Sequence, residues 1–209
     1  MTSPVRIAVI DSGVHAGHPH VQHIAGGIAI TADCREENEF VDRLGHGTAV
    51  AAVIREKASA AEIFAVKIFH DSLAARIQPL IRAIDWSVDN GMHLINLSLG
   101  TANQEHERLL VSAVERVQAK GIVLVAAFED PGVRWLPGAL SGTTPVALDW
   151  NCPRDEYRTS SLPDGRTLYH ASGYPRPIPN VSLERNLKGL SFAVANVTGL
   201  LAGELSAAH

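Results

Sequence analysis

Residues Val5 to Gly13 read Val-Arg-Ile-Ala-Val-Ile-Asp-Ser-Gly, an apolar, β-branched run that stops abruptly at Asp11. A short and nearly continuous run of this kind is typical of a parallel strand that is buried on both faces. Similar runs recur at residues 62–69, 93–99 and 122–127. The sequence therefore predicts four core strands, of which the first ends in a carboxylate.

Helical patterns separate these strands. Apolar residues recur at helical spacing in residues 47–57, 73–90 and 104–120, and a last helix is predicted from about 191 to 206. Repetition of strand and helix predicts an α/β fold of three layers, in which helices flank a mostly parallel sheet. Ligands of such sheets bind beyond the carboxyl ends of the strands.

The rest of the chain is less regular. Residues 131–188 are rich in Pro, Gly, Ser and Arg, which predicts loops and short strands, with residues 144–148 as the best strand candidate. The 209 residues lie below the roughly 250 at which chains divide into separate cores. A single domain over residues 1–209 is expected.

Composition excludes several classes of function. The net charge is −4 and the basic residues are scattered, so nucleic acid is not an expected partner. No apolar run approaches the roughly 20 residues of a bilayer-spanning helix, so no membrane span is expected. The N-terminus has no secretory signal pattern, which predicts a cytoplasmic protein.

Metal and disulfide chemistry are also not expected. Cys34 and Cys152 are the two cysteines; they cannot form a disulfide framework, and neither has a partner at zinc-like spacing. Four histidines lie close together, but their irregular loop spacing favours solvated or helix-contacting roles over a metal site; they are His15, His18, His20 and His23. No metal or other cofactor is expected.

Three side chains fall where a strand ends or a helix begins. They are Asp11, His46 in Gly-His-Gly-Thr, and Ser191 in Gly-Leu-Ser-Phe-Ala. A serine hydroxyl is a poor nucleophile near neutral pH, so it needs a base that takes its proton and a carboxylate that orients the base. Each residue alone is as well explained by a helix cap or a turn, but together they supply all three roles.

Five segments in this order resemble the subtilisin-like serine proteases, or subtilases. The segments are Ile7–Val14 with His18-Pro19 after it, Gly45–Ala51, Ala61–Lys67, Ile95–Gly100, and Gly189–Ala193 with Val197-Thr198-Gly199 behind it. The resemblance implies endopeptidase chemistry, with Asp11 as orienting acid, His46 as general base and Ser191 as nucleophile. It also implies that Ser98, Leu99 and Gly100 line the substrate cleft, and that the substrate is a peptide or protein.

One departure from the family affects the oxyanion hole. Counting without a gap places Asp130 where subtilases carry an Asn that donates to the oxyanion. An ionised carboxylate about 3 Å from an oxyanion costs roughly 5 kcal/mol at an effective dielectric near 20, whereas losing a donor costs about 3 to 4 kcal/mol. We therefore hypothesise that Asp130 is protonated or turned away during catalysis, and that backbone amides such as that of Ser191 serve as donors.

Two neighbours of Asp130 bear on specificity. Phe128 and Glu129 fall in the strip that forms a wall of the primary specificity pocket in subtilases. Phe128 would fill the pocket and admit small side chains, whereas an inward Glu129 would select Arg or Lys. The sequence leaves both alternatives open.

Two interpretations of the whole chain follow. The chain starts at the first core strand and ends soon after the last helix, which is expected of a compact form without signal or pro-domain. Such a form resembles cytoplasmic proteases of restricted specificity that trim leader segments from peptides. The alternative is a catalytically impaired subtilase-like domain that binds a peptide or partner protein, because Asp130 departs from the family pattern. Oligomeric state and any need for a partner protein stay open.

Overall fold

A computed structural model describes residues 3–130 and 132–207. The terminal residues of the predicted domain, and Pro131 at the start of the predicted irregular region, lie outside the described residues. Within them the strands are β1 (Arg6–Asp11), β2 (Gly26–Ile30), β3 (Glu36–Glu37), β4 (Glu62–Lys67), β5 (Leu94–Leu97), β6 (Val123–Asp130), β7 (Val133–Arg134), β8 (Thr144–Leu148), β9 (Tyr157–Ser161) and β10 (Thr167–Ala171). The α-helices are α1 (His46–Lys57), α2 (Ile77–Asp89), α3 (Glu107–Ala119) and α4 (Leu190–Ala207).

These strands form one mixed, mostly parallel sheet. Its order is β3-β2-β4-β1-β5-β6-β8-β10-β9, and β7 pairs with β6 beside this path. Six neighbouring pairs from β2 to β10 are parallel, while β3, β7 and β9 run antiparallel to their partners. The predicted α/β class is therefore confirmed, and β1 lies inside the sheet with its carboxyl end beside those of β4 and β5.

The two faces of the sheet carry separate apolar cores. Alternate residues of β1 point to opposite faces, so Ile7 and Val9 pack with α1 and α4, whereas Ala8 and Ile10 pack with α2 and α3. Both sides of the strand are thus excluded from water, which explains its unbroken apolar sequence.

Helix α4 bears on the prediction that the chain has no membrane-spanning segment. Among the described residues, α4 is the one helix whose length and apolar composition would allow it to cross a bilayer. Half of its 18-residue window is buried inside the protein, and it packs against α1, β5, β6 and β8. Its apolar character is therefore accounted for by its place in the core between α1 and the sheet.

Two strands, β6 and β9, differ from the prediction made from the sequence. β6 was expected to end at Ala127 but continues to Asp130, because it turns back into β7 with Glu129 opposite Arg134 and Asp130 opposite Val133. β9 is polar and mostly exposed, so it shows no apolar signal, and it forms the edge of the sheet beyond β10.

Candidate active site

The carboxyl end of β1 meets the first turn of α1. Asp11 is the last residue of β1 and is fully buried, and His46 is the first residue of α1. The Nδ1 atom of His46 lies 2.8 Å from Oδ1 and 3.0 Å from Oδ2 of Asp11. With Nδ1–H donating to the carboxylate, the Nε2 atom of a neutral ring is the proton acceptor.

The environment of His46 favours its protonated form. Burial lowers the pKa of His46, but the hydrogen bond that His46 donates to Asp11 and the negative charges of Asp11 and Asp42 outweigh burial and raise the pKa above its ordinary value. The Phe192 ring, whose centroid is 5.7 Å from that of His46, packs beside the imidazole. His46 is thus held in one place and made more basic than a free histidine.

Two residues that the sequence analysis does not select, Ser12 and Asp42, accept hydrogen bonds from the first turn of α1. Ser12 Oγ accepts from the Gly47 amide at 2.9 Å and donates to Asp42 Oδ1 at 2.9 Å. Asp42 Oδ2 accepts from the Thr48 amide at 2.9 Å and from the Thr48 hydroxyl at 2.6 Å. Orphan amides at a helix start are thereby satisfied from outside the helix. Asp42 lies three residues before Gly45, the first residue of Gly-His-Gly-Thr, a spacing that an N-terminal capping search could have found.

Asp42 keeps its charge in this setting. Burial raises its pKa, but hydrogen bonds from the Thr48 hydroxyl and amide, the Gly45 amide and the Ser12 hydroxyl together lower the pKa of Asp42 below its ordinary value. A buried carboxylate with this many donors stays ionised at neutral pH. The loop before His46 is consequently tied to the end of β1.

A glycine allows the close approach of α1 to β1. A Cβ atom on Gly47 would lie 2.2 Å from the carbonyl oxygen of Gly13 and 3.1 Å from Cβ of Asp11. No side chain fits at that distance without moving backbone. The small residue after His46 is therefore required for the helix to bring the imidazole to the carboxylate.

Ser191, the second residue of α4, is joined to the end of β5 by a reciprocal pair of hydrogen bonds. Its Oγ donates to the carbonyl oxygen of Ser98 at 3.0 Å, and Ser98 Oγ donates to the carbonyl oxygen of Ser191 at 3.1 Å. Asn96 donates to Ser98 Oγ at 2.8 Å and accepts from Thr198 of α4 at 2.9 Å. Catalysis would require the Ser191 hydroxyl to exchange its bond to Ser98 for one to His46.

One cleft of about 290 Å³ is lined by both His46 and Ser191. The sequence-predicted residues Ser98, Leu99, Gly100 and Asp130 line the same cleft, together with Phe69, Leu73, Ala127, Trp135 and Leu190. The structure thus brings together the proposed nucleophile, the base, the expected cleft edge and the carboxylate at the oxyanion position. Their roles in binding and catalysis remain predictions.

Trp135 is the largest of the lining residues that the sequence analysis does not select as site residues. Its amide donates to the Phe128 carbonyl at 2.8 Å, and Leu136 after it forms an antiparallel bridge with Thr101. A Cβ atom on Gly100 would lie 2.9 Å from Cβ of Trp135. The segment around Trp135 therefore spans from the end of β6 to the strand-end segment that follows β5, and its indole narrows the cleft.

The two residues expected to form a pocket wall lie elsewhere. Phe128 is buried, with the Arg134 guanidinium 5.7 Å from its ring centroid, and Glu129 is exposed opposite Arg134 in the β6–β7 hairpin. Neither is among the residues that line the cleft. A bulge between Ala127 and Glu129 displaces Phe128 from the regular ladder. Their part in substrate binding stays a prediction.

The arrangement has the parts needed for nucleophilic attack by serine: a carboxylate-held imidazole and a hydroxyl at the start of a helix that share one cleft. Within residues 3–130 and 132–207, no group of three or more His, Cys, Asp or Glu side chains is placed to hold a metal ion.

The protein is thus of the α/β class, with an Asp-His pair and a serine at one cleft beyond the carboxyl ends of its strands. The sequence profile of the subtilase family matches residues 2–130 of the chain. The chain therefore belongs to the subtilase family, which confirms the resemblance drawn from its motifs.

One relative is the thermostable alkaline protease of Halalkalibacterium halodurans, which is 33% identical over 166 residues. The match covers 74% of this chain and 44% of that protein. The chain spans less than half the length of the curated relatives that it matches first.

Two solved structures share the fold. The prenylagaramide maturation protease PagA superposes with a TM-score of 0.65 at 24% identity, covering 97% of this chain and 75% of that one. A lanthipeptide protease superposes with a TM-score of 0.72 at 19% identity, covering 98% of this chain and 74% of that one. At these identities the likeness establishes the fold.

Proposed function

We propose that this chain is a serine endopeptidase that acts through an acyl-enzyme. The observation that carries the proposal is the bidentate approach of Asp11 to Nδ1 of His46 in the cleft that also holds Ser191. His46 Nε2 takes the Ser191 proton as Oγ attacks the scissile carbonyl, and then passes that proton to the leaving amine. Water, deprotonated by His46, next attacks the ester and releases the second product.

Peptide cleavage tests this proposal. The purified protein is incubated with a random peptide library, and new termini are identified by mass spectrometry. We expect cleavage at a restricted set of bonds by the wild type and none by Ser191→Ala. Identical products from both proteins would refute the proposal, because they would come from a contaminating protease, and so would the absence of products from both.

We further propose that Trp135 restricts the substrate to small side chains at the cleavage position, since its indole narrows the cleft beside Gly100. Trp135→Ala should move cleavage in the same library toward large apolar residues. Trp150→Ala is the matched control, because Trp150 is an exposed tryptophan that does not line the cleft. An unchanged preference in Trp135→Ala, or the same shift in Trp150→Ala, would contradict this role.

The biological role that we propose is trimming of a leader segment from a peptide precursor in the cytoplasm. This proposal is supported by the fold shared with PagA, a maturation protease, and with a lanthipeptide protease. The two free thiols, Cys34 and Cys152, are compatible with a reducing compartment. Cell fractionation and identification of peptides that accumulate in a deletion strain test both parts.

A second candidate is peptide binding without cleavage. It is favoured by Asp130, an acidic residue that lines the cleft at the position where the resemblance to subtilases implies an oxyanion donor. In that case wild-type protein should retain library peptides on a column and leave them intact. Retention with cleavage that Ser191→Ala abolishes would exclude this candidate.

A further inference from the structure

A second concave surface adjoins the residues of the site. This groove, of about 660 Å³, lies between the loop after β1, the turn before α1, and the segment that precedes α4. Its lining is His15, His18, Pro19, His20, Asp42, Arg43, Leu44, Gly45, Thr48, Ala49, Ala52, Pro175, Arg176, Ile178, Pro179, Asn186 and Leu187. We call it the basic groove. It shares no lining residue with the cleft that holds His46 and Ser191.

The walls of the basic groove expose large apolar side chains. Leu44, Ile178 and Leu187 are 37%, 43% and 50% exposed, and they come from two separate chain segments. Single exposed apolar residues are ordinary, but several that converge on one concavity indicate a surface that another chain covers.

The charge of the basic groove is one-sided. Two guanidinium groups, those of Arg43 and Arg176, line it, and its single carboxylate, Asp42, is buried and already accepts hydrogen bonds. That carboxylate accepts from Ser12, Leu44, Gly45 and Thr48. No free negative charge is therefore offered by the lining to balance the guanidiniums.

The two arginines are only weakly engaged. Arg43 is 72% exposed in its side chain and approaches Glu39 at 3.7 Å, an exposed pair that contributes little. Arg176 donates to the His20 carbonyl at 3.1 Å, and no carboxylate among the described residues lies within 4 Å of it. Both side chains can form ion pairs with an incoming acidic group.

The chain connects this groove to the site at two places. Gly45, which lines the groove, is bonded to His46, and Leu187 precedes Ser191 by four residues. The two concavities are therefore lined by chain segments that run directly from one to the other, so that a substrate extending past His46 would come next to the groove. A segment that alternates acidic and apolar residues would match the guanidiniums with one set of side chains and the leucines with the other.

We propose that the basic groove binds an acidic, apolar segment of the substrate that lies outside the residues occupying the cleft. This inference rests on the proposed function, because the occupant is the substrate itself. The groove would select substrates by a recognition segment, while the cleft selects the bond.

Binding to inactive protein tests the groove independently of catalysis. The probe is a fluorescein-labelled peptide of alternating Leu and Glu, and Ser191→Ala is titrated against it by anisotropy at pH 7.5. We expect saturable binding that weakens with added salt, and at least about tenfold weaker binding of the Leu/Gln and Leu/Lys counterparts. Equal binding of the three peptides, or no binding of the acidic one, would overturn the proposal.

Charge reversal locates the binding. Two charge-reversal variants are made in the Ser191→Ala background: Arg43→Glu alone, and Arg43→Glu combined with Arg176→Glu. Both should weaken binding of the acidic peptide, the combined variant by at least about tenfold. Arg108→Glu is the matched control, because Arg108 is an exposed arginine of α3 on the other face of the sheet. An equal loss in the control, or none in the double variant, would overturn the proposal.

Turnover separates this inference from the proposed function. In protein with Ser191 intact, Arg43→Glu should raise KM for a cleaved library sequence extended by alternating Leu and Glu, and leave the short neutral sequence unchanged. Normal cleavage with no effect of the extension would defeat the groove alone. Peptide binding by Ser191→Ala without any wild-type cleavage would defeat the proposed function and leave the groove as a binding site.

Discussion

At the scale of single residues, the pairing of His46 with Asp11 decides the chemistry. A buried imidazole would ordinarily become less basic, because burial disfavours its charged form. Here the contact of 2.8 Å with a fully buried carboxylate reverses that effect and raises the pKa of His46. The same contact fixes the ring nitrogen that faces away from Asp11 as the proton acceptor.

This electrostatic balance predicts a pH dependence. A general base must be neutral, so kcat/KM should fall as the pH drops through the raised pKa of His46, with a midpoint above about 6.5. Asp11→Asn should lower kcat by about 10⁴-fold at pH 7 and move this midpoint down, since only the more distant charge of Asp42 then opposes the effect of burial on the pKa of His46. A pH–rate profile of both proteins measures this. An unmoved midpoint in the variant would contradict the role of Asp11.

Asp130 gives a second prediction at this scale. Replacing it by Asn removes a negative charge from the cleft and supplies an amide donor, so Asp130→Asn should raise kcat at least about tenfold. Glu129→Gln is the matched control, because Glu129 is exposed and outside the cleft lining. A kcat that stays the same or decreases in Asp130→Asn would contradict the view that Asp130 lowers the rate of catalysis.

The sequence could indicate Asp11, His46 and Ser191 because each stands at a strand end or helix start and belongs to a motif. It could not indicate Trp135. That residue reaches the cleft through a bridge between Leu136 and Thr101 and a hydrogen bond to the Phe128 carbonyl, contacts that leave no local periodicity. Side chains placed by long-range pairing of irregular segments carry no signal in a single sequence.

At the scale of elements, α1 depends on groups outside itself for its N-terminus. Its N-cap residue, Gly45, has no side chain to accept a hydrogen bond. The amides of Gly47 and Thr48 are satisfied instead by Ser12 from the end of β1 and by Asp42 from the preceding loop. The position of His46 thus depends on a network that ties the helix to the sheet.

Removing the charge of Asp42 should destabilise this junction. Asp42→Asn leaves one acceptor oxygen for five donors, and we expect a loss of about 2–4 kcal/mol in the free energy of unfolding at pH 7. Because the pKa of Asp42 is lowered by folding, its stabilisation is present above the unfolded value and is lost as the pH falls through the folded one. The difference from the wild type should therefore shrink below about pH 4.

Urea unfolding at several pH values checks this expectation. Asp71→Asn, at an exposed loop position, is the control and should change stability by less than about 0.5 kcal/mol. A pH-independent loss in Asp42→Asn, or a loss no larger than that of the control, would show that the carboxylate does not hold the junction.

The core elements were predictable because their burial requires a recognisable pattern of apolar residues. A strand buried on both faces, such as β1, needs a continuous apolar run, and a helix buried on one face, such as α2 or α3, needs apolar residues at helical spacing. β8 coincides with its expected range for the same reason. The extension of β6 to Asp130 was not predictable, since Glu129 and Asp130 are held by a hairpin partner rather than by burial.

At the scale of the whole molecule, the parallel sheet brings distant chain segments to one edge. β1, β4 and β5 are neighbours in the sheet, although the chain from the start of β1 to the end of β5 runs from residue 6 to residue 97. Asp11, His46 and Ser191 come from a strand, a helix start and a second helix start. The packing of α1 against α4 on one face of the sheet places the His46–Asp11 pair and Ser191 at the same cleft. The site therefore depends on the packing of elements that are distant in the sequence.

The central claim is that these three residues act as one unit. Labelling with a fluorophosphonate at pH 7.5, with the modified residue located by mass spectrometry, measures this most directly. We predict a single adduct on Ser191 whose rate of formation falls by at least about 10³-fold in His46→Ala and also falls in Asp11→Asn. Absence of the Ser191 adduct in the wild type, or its formation at the same rate in His46→Ala, would contradict the account.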